Sequence, residues 1–371
     1  MASARTIAEE LLKRAGIEIG GTQPGDLIIH DESVFARVFA GGTLALGESY
    51  MDGAWESTAL DVTFAKMLGA HLDRELKPSV RLLVAYLKAR LFNQQSKRRS
   101  FQVGEEHYDL GNDLYEAMLD SRMVYTCGYW KDAKTLDEAQ VAKLDLVCRK
   151  IGLKKGDRVL DIGCGWGSFA KFAAERYGAE VVGITISKEQ AILATERCKG
   201  LPIEIRVQDY RDINEQFDHI ISIGMFEHVG VKNYRTYIEV AQRCLKEDGL
   251  FLLHTIGQNV SLPTGDAWIS KYIFPNGMIP SAAQLTKALE GLFTIEDWHN
   301  FGSDYDKTLM AWFHNFDKAW PQFKNQYGER FYRMWSYYLR MCAGLFRARG
   351  TQLWQVVLSK DGVKGGYMSV R

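Results

Sequence analysis

The chain predicts an α/β fold, a doubly wound and mostly parallel sheet with a small helical N-terminal domain ahead of it. Three observations carry this. A short apolar run, Arg158 to Ile162, enters the turn Gly163, Cys164, Gly165, Trp166, Gly167, and the turn opens into Ser168 to Tyr177, where Phe169, Phe172 and Ala173 have helical spacing. Beyond residue 150, strand-like and helix-like segments alternate regularly. Before about residue 75 the patterns are helical and are broken by Gly20, Gly21, Pro24, Gly41, Gly42 and Gly53, which predicts a separate small unit.

Composition narrows the function classes. The 371 residues suit two domains, and 46 basic against 46 acidic side chains leave no global field to steer nucleic acid. No apolar run approaches the roughly 20 residues that a spanning helix needs, so the expectation is a protein that is soluble or rests on a membrane surface. Arg5, Glu9 and Glu10 interrupt the N-terminus where a signal peptide would be continuously apolar. Six scattered cysteines without a CxxC pair indicate reduced thiols in a cytoplasm, with no metal site.

Lys77 to Phe101 is basic and amphipathic: Lys77, Arg81, Lys88, Arg90, Lys97, Arg98 and Arg99 alternate with Leu82, Leu83, Val84, Leu87, Leu91 and Phe92. Such a segment can lie on an anionic bilayer, and it reads equally well as a solvated linker helix. Residues 1–100 are therefore expected to form the N-terminal domain and its linker, and 101–371 the second domain. Its strands are expected at 158–162, 180–184, 203–207, 219–223, 250–255, 293–298 and 351–359, with the last strand in an antiparallel edge hairpin. The aromatic and Pro-containing stretch 257–292 is too long for a plain connection and is expected to be an inserted lid.

The turn at 163–167 is chemically the most informative. Glycines at alternate positions let backbone approach a ligand where a Cβ would collide. The spacing is GxGxG, without the GxGxxG of dinucleotide sites or a P-loop Lys followed by Ser or Thr, which favours a nucleoside lacking a pyrophosphate. Asp161 ends the strand where a carboxylate reaches amino and sulfonium charge, so S-adenosylmethionine fits better than NAD. Glu227 follows the fourth strand and His254 ends the fifth, so both can converge above that ligand.

The motifs EHYDLGND at 106–113, YTCGYW at 125–130, VLDIGCGWG at 159–167, GITISKEQ at 183–190, GMFEHVG at 224–230, HTIG at 254–257, YIFPNG at 272–277, LMAW at 309–312 and CAGLFRARG at 342–350 resemble the cyclopropane fatty acid synthases over nearly the whole chain. The resemblance implies a seven-stranded methyltransferase sheet and transfer of a methylene from S-adenosylmethionine to the cis double bond of a phospholipid acyl chain. It implies a bound bicarbonate as base, held by Cys127, Glu227, His254, the Ile256 backbone and Tyr305. Cofactor contacts carry over to Tyr125, Thr126, Asp161, Gly163, Cys164, Gly165, Trp166, Gly167, Thr185, Gln190, Gln208, Asp209 and Tyr210. The second strand lacks the usual acidic residue for the ribose hydroxyls, so Gln190 would serve instead.

Cys342 is a further candidate, although the mechanism needs no thiol nucleophile. Phe226, Tyr272, Phe274 and Tyr305 could face a transient cation, with core packing as the alternative for the first three. The implied setting is peripheral, on the cytoplasmic face of a membrane, and a homodimer would let one subunit anchor while the other reacts. Two other classes remain open. A small-amine methyltransferase would dispense with the basic segment, and a non-catalytic lipid-binding protein need not keep Cys127, Glu227, His254 and Tyr305 together.

Overall fold

The computed structural model describes residues 3–72 and 111–371. The basic segment at 77–101 and the first five residues of EHYDLGND lie outside the described residues. The rest forms two compact units, and the first of them is discontinuous in sequence: its described parts are 3–72, Leu262–Pro275 and Tyr305–Thr351.

In this first unit, α1 (Ala4–Arg14) is capped by Ser3, whose hydroxyl accepts from the Thr6 N–H. The two-residue strands β1 (Ile28–Ile29) and β2 (Trp55–Glu56) pair antiparallel around α2 (Ser33–Met51), which is kinked at Gly42, and α3 (Leu60–Gly69) follows. These short elements cannot bury their apolar faces on one another alone. Trp268 and Tyr337 complete the core, their rings 4.5 Å apart, and Tyr337 also meets Tyr50 at 5.5 Å and Phe64 at 5.2 Å. A Cβ on Gly47 would stand 2.3 Å from the Trp268 ring, so glycine is required for this approach. Beyond the expected N-terminal stretch, the first unit also takes in 262–275, from the expected lid segment, and 305–351.

The second unit comprises 111–261, 276–304 and 352–371 among the described residues. After α4 (Asn112–Met118) and α5 (Leu136–Lys150) come β3 (Arg158–Ile162), α6 (Ser168–Tyr177), β4 (Glu180–Thr185), α7 (Lys188–Arg197), β5 (Ile203–Val207), β6 (Phe217–Ile223), α8 (Tyr234–Cys244), β7 (Leu245–Gln258), α9 (Ala267–Tyr272, part of the first unit), α10 (Ala282–Leu289), β8 (Thr294–Asn300), α11 (Ser303–Arg347, in the first unit from Tyr305 onward) and β9 (Thr351–Ser359). The seven strands lie in the order β5-β4-β3-β6-β7-β9-β8. β3 to β7 are parallel and β8 pairs antiparallel with β9, as the sequence predicts. The 45 residues assigned to α11 contain Pro321 and break at Gly328, whose φ of 76° is left-handed, consistent with two successive helices.

Side chains alternate across this sheet. Leu160, Ile220, Phe251, Leu253, Val356 and Leu358 enter one core with α8 and α10. Val159, Ile221, Leu252 and Val357 enter the other, with Leu144, Val147 and Phe169 of α5 and α6. By that alternation Asp161, His254 and Gln355 share the α5 side.

Candidate active site

The site is assembled at the carboxyl ends of β3, β6 and β7. Gly163, Gly165 and Gly167 have φ of 85°, 53° and 76°, and a Cβ on Gly163 would lie 2.8 Å from Met225 Cβ. The Gly163 and Cys164 N–H groups both donate to the Ile184 carbonyl, at 2.9 and 3.0 Å, which ties the turn to the end of β4. Beneath it Asp161 is buried, and its Oδ2 has no hydrogen-bond partner among the described residues. Burial pushes its pKa up to about 7 against the pull of Lys143. A backbone cradle above an unmet carboxylate suits a ligand bearing amino and sulfonium charge, so these residues fit S-adenosylmethionine.

Around the turn, Trp166 Nε1 donates to Asn112 Oδ1 at 3.2 Å, and the Tyr115 ring links Trp166 at 5.1 Å to Tyr125 at 5.3 Å. Cys164 packs its Cβ against Gly183, and burial raises its thiol pKa, so it fills space. At β4, Thr185 donates to Gln190 Oε1 at 3.0 Å. One lone pair of the expected ribose acceptor is therefore already engaged. Gln208 donates its N–H to the Thr185 carbonyl, and Asp209 accepts from the Arg211 N–H and guanidinium at 2.9 and 3.0 Å. Tyr210 is buried, its ring 4.9 Å from Tyr237.

Glu227 leaves the end of β6 through Gly224, where φ is 74° and a Cβ would meet Thr126 Cγ2 at 2.6 Å. Its Oε1 accepts from the Ile256 N–H at 2.7 Å, and its Oε2 is buried without a partner among the described residues. Burial pushes the Glu227 pKa up to about 7. Two residues from Ile256, the buried His254 ring meets Gln355 Nε2 through Nδ1 at 3.3 Å, and its Nε2 lacks a partner among the described residues. Burial holds this imidazole well below its ordinary pKa, and Lys143 and Lys150 add to the effect, so it is neutral. Of the Ile256 backbone, expected to help hold an anion, the N–H is already donated to Glu227.

Cys127 is fully buried, its Sγ 3.2 Å from the Gly128 carbonyl. Tyr305 and Cys342 belong to the first unit. Tyr305 stacks on Phe346 at 4.5 Å. Burial pushes the Cys342 thiol up to about 12, the opposite of what a nucleophile needs. Phe226 is stacked on Tyr234 at 4.3 Å in the core and is a packing residue.

Three contributors were not singled out from sequence: Gln140, Lys143 and Gln355. On α5, Leu136, Gln140, Lys143, Val147 and Lys150 follow a 4-3-4-3 spacing, and all are buried. The stripe that should be apolar therefore carries three polar residues, a signal visible in the sequence. Gln140 Nε2 donates to the Thr126 carbonyl and Lys143 Nζ to the Thr126 hydroxyl, both at 2.8 Å, so α5 holds the YTCG segment from within. Burial pushes the Lys143 pKa down to about 8 against Asp120, Cys127 and Asp161. Among the described residues no group of His, Cys, Asp and Glu could hold a metal ion, and no helix is long and apolar enough to cross a membrane.

Residues 95–356 match the family model described as mycolic acid cyclopropane synthetase. The cyclopropane-fatty-acyl-phospholipid synthase of Escherichia coli strain K12 is 55% identical over 365 residues, 98% of this chain and 95% of that one. The structure of the cyclopropane synthase MmaA2 from Mycobacterium tuberculosis superimposes with a TM-score of 0.66 at 31% identity, covering 70% of this chain and 98% of that one. That of the mycolic acid cyclopropane synthase CmaA1, complexed with SAH and CTAB, gives 0.66 at 32% identity, with 70% and 98% covered.

Proposed function

The chain belongs to the mycolic acid cyclopropane synthetase family, and from that premise we propose how it works as a cyclopropane-fatty-acyl-phospholipid synthase, an S-adenosylmethionine-dependent methyltransferase acting on unsaturated phospholipid. The observation that supports this reading is a pair of unmet buried polar atoms, Glu227 Oε2 and His254 Nε2, carried by the segment after β6 and by β7, in the same parallel sheet whose β3 leads into the glycine turn.

In the reaction an alkene carbon attacks the sulfonium methyl. A C–C bond forms as the S–CH₃ bond breaks, S-adenosylhomocysteine leaves, and a carbocation remains. Loss of a proton from the transferred methyl delivers that C–H electron pair to the cation and closes the ring. Burial and Ile256 keep Glu227 fixed, and as an acid its Oε2 donates a hydrogen bond to an anion. The His254 and Cys127 edges complete a small polar recess. Bicarbonate fits this donor set, and when bound there it supplies the mild base for the departing proton. Holding a base by hydrogen bonds is worth about 10²- to 10⁴-fold in rate.

The setting we infer is peripheral, on the cytoplasmic membrane face, with Lys97, Arg98 and Arg99 meeting lipid phosphates. The test is incubation of pure protein with methyl-labelled S-adenosylmethionine and either unsaturated phospholipid vesicles or small amines. Label is expected in cyclopropane phospholipid, and label in amines alone overturns the lipid assignment. The rate should fall when bicarbonate is stripped from the buffer. Full activity in rigorously degassed solution removes the anion from the mechanism.

A further inference from the structure

We propose that Gln355 is a positioning residue that holds His254 as a neutral ring with its proton on Nε2, so that this edge donates into the site. The proposal deepens the anion reading above, and its consequence for turnover rests on that reading.

His254 and Gln355 sit on neighbouring strands, β7 and β9, and on the same sheet face. Both side chains are inaccessible to solvent, with 1% and 0% exposure. Gln355 Nε2 lies 3.3 Å from His254 Nδ1. An amide NH₂ can only donate, so Nδ1 is the acceptor, and a neutral imidazole whose Nδ1 accepts carries its proton on Nε2. That Nε2 is buried with no acceptor among the described residues, and it is therefore a directed donor awaiting one.

The electrostatic surroundings point the same way. Lys143 and Lys150 of α5 are both buried within reach of the ring and oppose a second proton on it. Lys150 is itself engaged, 3.1 Å from His299 Nδ1 and 3.4 Å from Asp297. Turning the amide over would place its oxygen on Nδ1–H and leave a bare Nε2 lone pair facing the anion. Glutamate at 355 would do the same and would also draw a second proton onto the ring. Glutamine can donate to Nδ1 without adding charge.

The experiment is ¹⁵N NMR of ring-labelled histidine in the full-length protein, with the His254 signals assigned by their loss in His254→Gln. The parent should show a protonated Nε2 and an unprotonated Nδ1 at neutral pH. Gln355→Glu should move the proton to Nδ1, and Gln355→Met, which cannot donate, should give a mixture of tautomers. Calorimetric binding of S-adenosylhomocysteine reports that each variant is folded. Gln355→Met should lower kcat about 10-fold, one hydrogen bond's worth, with KM for S-adenosylmethionine unchanged. A parent ring protonated on Nδ1 or on both nitrogens, or a folded Gln355→Glu with the parent tautomer, overturns the proposal. If Gln355→Glu does not fold, the parent and Gln355→Met spectra decide it. If the parent shows the expected tautomer but turns over equally well without bicarbonate, the anion reading fails while the assignment of Gln355 stands.

Discussion

Lys143 Nζ donates to Thr126 Oγ1 at 2.8 Å from a position with no solvent exposure. An ammonium placed there fixes the segment that carries Tyr125, Thr126 and Cys127, and it is the cation nearest in charge balance to Asp161. Lys143→Met keeps the volume and removes both effects. We expect affinity for S-adenosylhomocysteine to fall about 10-fold, as for loss of one charged hydrogen bond. Titration calorimetry checks this, and a folded variant with the parent's affinity would separate Lys143 from the cofactor site.

Glu227 joins catalysis to pH-dependent stability. Its folded-state pKa of about 7 exceeds the ordinary 4.5, so between these values the folded protein keeps a proton that the unfolded chain has released. Stability therefore falls as pH rises through that window, and Asp161, also raised to about 7, adds the same sign. Glu227→Gln removes one of the two contributions. At pH 8 the variant should be more stable than the parent by an amount of the order of 2–3 kcal/mol, and the two should converge near pH 4. Turnover should fall about 10²- to 10⁴-fold. Urea unfolding at both pH values, with assays alongside, gives the answer, and unchanged turnover would remove Glu227 from the site.

The three glycines of the turn should not respond alike. Gly163→Ala meets Met225 Cβ at 2.8 Å in addition to its positive φ, whereas a Cβ on Gly165 has nothing within 4 Å. Gly165→Ala should destabilise by about 1–2 kcal/mol, the left-handed penalty, and Gly163→Ala by more, with cofactor affinity lost in both. Thermal unfolding with S-adenosylhomocysteine calorimetry distinguishes the two. Equal unfolding midpoints would contradict the contact argument.

Reversing Lys97, Arg98 and Arg99 to glutamate should weaken binding to anionic vesicles, and the difference from the parent should shrink as salt rises. Sedimentation with vesicles at two ionic strengths measures it. Parent-like binding at low salt would leave the segment as a linker.

What the sequence determined alone is local. β3, the turn at 163–167 and α6 follow from consecutive residues, because an apolar run, left-handed glycines and helical spacing each act over a few positions. The alternation that follows implies a parallel sheet whose strand ends gather Asp161, Glu227 and His254. Tertiary structure decided the rest. Trp268 and Tyr337 join helices distant in the chain, because the short N-terminal elements cannot bury their apolar faces on one another alone, and no local pattern announces that. Gln355 becomes the partner of His254 because β9 returns beside β7, a neighbour relation that depends on strand order. The spacing of Gln140 and Lys143 is visible in the sequence, but only packing turned their stripe inward, and burial then pulled the Lys143 pKa down to about 8 and pushed that of Glu227 up to about 7. Residue type and local spacing set which groups were available for chemistry. Burial and long-range pairing set their charge and direction, because desolvation energies exist only once the chain has closed around them.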